Sequence, residues 1–116
     1  KQVPIDLSII SMDKAMIGTG PIFGKAVDTP GLIIAGTDPV AADCIGARLL
    51  GFLPQAVNYL YMLYKDNLGE AEPQKMTIKG LDVKEAEQLF SKCAYGDKKS
   101  ILDQKYVKDL HDENKK

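Results

Sequence analysis

The stretch GLIIAGTDPVAADCIGARLLGF, residues 31–52, decides how this chain folds. Leu32, Ile33, Ile34 and Ala35 form a short apolar run, the composition of a strand covered on both faces. Gly36 interrupts the run. Asp38 then stands directly before Pro39. An Asp side chain accepts from the orphan amides of a helix's first turn, and Pro at the first helical position lacks only a proton that the helix does not use. Two independent signals therefore start a helix at one place. That helix is apolar nearly all round, from Val40, Ala41 and Ala42 through Cys44, Ile45 and Ala47 to Leu49 and Leu50. Such a helix is expected to be enclosed by other elements. Asp43 is the exception, a carboxylate that must be paired, solvated at an opening or part of a site.

Upstream, residues 4–12 (PIDLSIISM) read as a first strand, with Ile5, Leu7 and Ile9 alternating with Asp6 and Ser8. Asp13 falls at or just past its C-terminal end. Residues 14–30 read as a long irregular segment holding Gly18, Gly20, Pro21, Gly24 and Pro30, and structureless segments of this length are often functional. Downstream, a second helix is expected from Pro54, with Val57, Leu60, Tyr61, Tyr64 and Leu68 on one face and Gly69 as its stop. KMTIK, residues 75–79, reads as a short strand closed by Gly80. Asp82 with Glu85 resembles a capping box that opens a third helix over 83–93. Ser100 marks a fourth helix, with Leu102, Tyr106 and Leu110 inward. Alternating strands and helices make the class α/β: a small mixed or parallel sheet with packed helices. Residues 1–112 are expected to form one domain and 113–116 a frayed charged tail. Three short strands make a small sheet. With Lys1 in place of an initiating Met, the expectation is a C-terminal piece of a larger α/β domain.

Composition bounds the function. The chain has 116 residues, 45% of them hydrophobic, and a net charge of −1. That is enough for one core, and it offers no basic field for nucleic acid. No apolar run is long enough to span a bilayer. The 2 cysteines, Cys44 and Cys93, lie far apart and match neither a disulfide framework nor a metal-binding spacing. A reducing, cytoplasmic setting is expected.

Chemistry is expected beyond the carboxyl ends of the two main strands, where ligands bind in open α/β sheets. If the strands are parallel neighbours, their following loops share one edge. That edge would collect Asp13, Gly18, Gly20 and Pro21 from the first loop, and Thr37, Asp38 and Asp43 from the second. Carboxylates grouped beside backbone carbonyls suit a hard divalent cation, so Asp13, Asp38 and Asp43 are candidate metal ligands. A plainer reading stands beside each of these. Asp38 serves as a helix cap, Gly18 and Gly20 form a turn, and Asp43 bonds a neighbouring loop. No GxGxxG pattern is present. His111 sits in the charged tail, so Ser or Cys hydrolase chemistry lacks its base.

The strand ending in Asp13, the GTGP segment at residues 18–21 and the segment GLIIAGTDPVAADCIGARLLGF together resemble the C-terminal part of the prokaryotic domain of unknown function 362 family. The resemblance spans residues 5–80, and DPVAADCIGARLLG is its specific part. The chain departs from the family pattern in a shortened first loop and in Ile17, where an acidic residue is common. The resemblance implies an association with ferredoxin-like segments that hold [4Fe-4S] clusters, in a part of the protein other than this one. It therefore implies a ligand-binding or enzyme-like domain of an iron–sulfur-associated redox protein. The alternative is a non-catalytic domain that docks a redox partner, the missing N-terminal part of its own protein or a second copy of itself. Whether the domain is an enzyme stays open at this point.

Overall fold

The Asp38–Pro39 junction behaves as its chemistry requires. The computed structural model describes residues 3–95, without the side chains at 17, 18 and 91–95. Helix α1 spans Pro39–Leu49. Asp38 Oδ1 accepts from the amides of Val40 and Ala41 at 2.9 and 3.1 Å. Before it lie strands β1 (Ser8–Thr19) and β2 (Phe23–Gly36). After it come α2 (Asn58–Lys65) and α3 (Val83–Tyr95), with single 3-10 turns at Pro54–Ala56 and Pro73–Lys75.

The α/β class with helices packed on a small sheet holds. The pairing is antiparallel, not parallel: β1 and β2 form one hairpin running from Ser8 opposite Gly36 to Thr19 opposite Phe23. The segment expected to be irregular is most of this hairpin. Its alternation is hidden by a bulge between Met12 and Lys14, where Asp13 faces Thr29, Pro30 and Gly31. Pro30 donates no ladder bond, so a bulge is one of the few places a sheet accepts it. Gly31 takes φ +69°, a conformation other residues rarely adopt. The Thr29 hydroxyl donates to the Met12 carbonyl that the interrupted ladder leaves over. The bulge also shifts the side-chain phase. Ile10 and Met12 point to the core before it and Ala15 after it; across the hairpin, Leu32 and Ile34 on one side of the bulge and Val27 on the other pack against the same core.

The enclosure of α1 is as expected. One side meets the sheet and α3 in a cluster of Met12, Leu49, Ala86 and Phe90, with Ile45 and Leu50 packed against it. The other side meets α2 and the following loop in a cluster of Val40, Cys44, Leu60 and Ala71. Phe90, Leu60 and Cys44 are fully buried.

Further along, two expectations are revised. The second helix ends at Lys65, four residues before Gly69, because Asn67 takes the left-handed conformation at φ 56° and closes it. Residues 75–79 form no strand. Met76 packs into the second cluster, while Thr77, Ile78 and Lys79 are exposed and pair with no strand among the described residues. Asp82 does open α3, its Oδ2 accepting from the amides of Lys84 and Glu85 at 3.1 and 3.4 Å. The expected fourth helix and the tail lie outside the described residues. No helix among the described residues is long and apolar enough to cross a membrane.

Candidate functional site

An antiparallel hairpin separates what a parallel pair would have joined. Gly18, Gly20 and Pro21 sit at its closed tip, and Thr37 and Asp38 follow its open end. Eleven residue steps at about 3.3 Å each put these ends about 35 Å apart. Asp13 lies between them at the bulge, exposed, its Oδ1 at 3.6 Å from where a Cβ on Gly31 would stand. The first-loop and second-loop candidates therefore do not share an edge. Among the described residues, no three His, Cys, Asp or Glu side chains come together in a set able to hold a metal ion.

Asp38 is engaged on both carboxylate oxygens. Oδ1 caps α1, and Oδ2 accepts from the Glu70 amide at 2.9 Å. Asp38 thus clamps the loop after α2 onto the start of α1. The clamp needs Gly69. A Cβ there would stand 2.4 Å from Val40 Cβ and 2.6 Å from Asp38 Oδ1, closer than atoms can approach. Sequence reading placed Gly69 at the helix end and missed this contact, because the partner is 31 positions away and nothing local signals it.

Asp43 is exposed and accepts from the Tyr59 hydroxyl at 3.1 Å. Burial, and then the Asp43 carboxylate, hold the Tyr59 phenol above its ordinary value. Beside it, Cys44 is wholly buried. Burial, with Asp43, Asp38 and Glu70 nearby, pushes its thiol up to about 11. The nucleophile is the thiolate, so Cys44 is an inert core residue. A surface trio missed in the sequence joins Tyr64, Glu72 and Lys75. The Tyr64 hydroxyl donates to Glu72 Oε1, and Glu72 Oε2 lies 3.1 Å from Lys75 Nζ. These two contacts hold the Glu72 carboxyl below its usual range and the Lys75 ammonium above its own.

Apolar side chains are exposed at several places on the surface, among them the sheet and the hairpin tip. On the sheet face opposite the helices, Ile9 and Ile33 are 65% and 71% exposed. They form adjacent cross-strand pairs with Ala35 and Ser11. At the hairpin tip, Ile22 and Phe23 are 80% and 83% exposed. A groove of about 600 Å³ also runs beside β2, between residues 32–38 and residues 75–79, over a floor that includes Ala42, Ile45 and Ala86.

A likeness to a known family covers residues 1–48. They match the model of a domain of unknown function (DUF362). The match carries the resemblance seen in the sequence and ends within α1, short of residue 80. No curated protein and no solved structure matches the chain. A [4Fe-4S] cluster takes about four thiolates as a rule. Among the described side chains the one cysteine is buried Cys44, so these residues do not fit such a group.

Proposed function

We propose that this chain is a docking domain, one that binds a partner polypeptide through apolar surface on its sheet. The observation that carries this reading is the outer face of the hairpin, where Ile9 and Ile33 stand 65% and 71% exposed beside Ala35. A sheet buries one face on helices and leaves the other polar when that face meets only water. Contiguous exposed apolar residues mark interaction sites. The polar candidates support the same reading. Asp38 spends both oxygens on backbone amides, and Asp13 stands far from the hairpin tip. The partner class that the family resemblance implies is a ferredoxin-like, iron–sulfur-associated polypeptide or another part of the same protein.

The test uses an environment-sensitive apolar dye and the Ile9→Lys variant. The wild type, folded and unfolding cooperatively, binds the dye. Ile9→Lys loses most of that binding while keeping its unfolding midpoint, since an exposed substitution costs within about 0.5 kcal/mol. Dye binding unchanged by Ile9→Lys would refute the outer face as the surface.

A further inference from the structure

β2 pairs with β1 alone among the described residues, so its other edge carries unpaired backbone groups at every second residue. Residues 32–38 of that edge and its continuation line the groove beside β2 without a break. The opposite wall is residues 75–79, again without a break. Met76 is extended there at φ −88° and ψ 141°, and residues 77–79 make no hydrogen bond among the described residues. The floor is apolar: Ala42, Ile45 and Leu49 of α1 with Ala86 of α3. Seven residues at about 3.3 Å each make a wall about 23 Å long. The free edge of β2 and the segment 77–79, which makes no hydrogen bond among the described residues, thus line one groove over an apolar floor.

We infer that this groove takes an extended strand of a partner polypeptide, paired to the free edge of β2 and lying between it and residues 75–79. The inference rests on the docking reading and deepens it by naming the form of the partner. Main-chain pairing supplies the affinity in such strand addition, and alternate side chains supply the specificity. Side chains facing the floor meet Ala42, Ile45 and Ala86, so the strand is apolar at every second position. Lys79 on the far wall has no ion pair among the described residues, which favours an acidic residue in the strand opposite it. A compact charged ligand fits less well, because Asp38 at the groove's end is already saturated by three amides.

The probe is an acetylated octapeptide of alternating valine and threonine with one central glutamate, compared with the same peptide N-methylated at alternate residues. The unmodified peptide is expected to bind and to slow amide exchange at alternate positions within 32–38 and at 77–79. N-methylation removes the pairing donors and should weaken binding at least tenfold. Lys79→Glu should weaken the glutamate peptide by about fivefold, the scale of one exposed ion pair, and favour a lysine peptide instead. Failure of the unmodified peptide to bind at millimolar concentration would overturn the inference. So would equal binding of the N-methylated form, or protection confined to β1. Ile9 lies outside the groove, which keeps the two readings separable. Loss of peptide binding with dye binding intact at Ile9 removes the strand and leaves the docking face; loss of both removes both.

Discussion

Asp38→Asn separates the two jobs of one carboxylate. Asparagine keeps an oxygen for the amides of Val40 and Ala41, and Asn is as good a helix cap as Asp. It turns an NH₂ group toward the Glu70 amide, so a donor faces a donor where Oδ2 now accepts at 2.9 Å. A hydrogen bond to a charged group contributes about 1.5–3 kcal/mol, and the lost charge at a helix start costs about 0.3–1 kcal/mol more. Asp38 is half-buried, so water restores part of this. The expected net loss is about 2 kcal/mol, a urea midpoint lower by about 1.5 M for a domain of this size. Asp38→Ala also removes the cap and should cost about 1 kcal/mol beyond that. Urea unfolding followed by circular dichroism reads both. In Asp38→Asn the Glu70 amide should exchange faster while α1 stays protected. A loss under about 0.5 kcal/mol for Asn, or equal losses for Asn and Ala, would refute the clamp.

Other variants probe the same packing. Gly69→Ala forces a Cβ to within 2.4 Å of Val40 and should cost about 1–3 kcal/mol, the range for overpacking; a near-neutral urea midpoint would contradict the close approach. Phe90→Ala should cost about 3–5 kcal/mol, and Ile45→Ala, half-buried in the same cluster, should cost clearly less, about 1–2 kcal/mol. Cys44 gives a pH dependence. Its folded thiol holds its proton up to about 11, above its unfolded value, so its contribution is full below about pH 8.5 and fades as pH rises through 11. The stability gap between wild type and Cys44→Ala should therefore narrow by about 2 kcal/mol from pH 8 to pH 11, and a constant gap would show that the thiol titrates normally.

Local signals were legible where the structure obeys them locally. Asp38 before Pro39 places the start of α1, and its all-round apolar faces require the two clusters that enclose it. Asp82 likewise places α3. The hairpin was not legible, because the bulge at Asp13 and the Pro30–Gly31 pair break the period-two pattern on both strands at the same level. Pro and Gly read as loop when the partner strand is unseen. KMTIK carries a strand pattern, yet Lys75 closes a 3-10 turn and residues 77–79 pair with no strand among the described residues. The Asp38 clamp on Glu70 and the matching need for Gly69 depend on long-range approach alone. Of the candidate site, Thr37 and Asp38 stay adjacent at the start of α1 and Asp43 lies on the same helix. Asp13 and the Gly18–Gly20–Pro21 tip lie elsewhere on the hairpin.

The docking proposal makes the outer sheet face a binding surface, not a solvent face. Sedimentation velocity across a dilution series, on the wild type and on Ile9→Lys with Ile33→Lys, tests it most directly. Isoleucines exposed at 65% and 71% on one face should drive concentration-dependent self-association of the wild type, and the double variant should sediment as a monomer throughout. A wild type that remains monomeric at every concentration, indistinguishable from the double variant, would contradict the account.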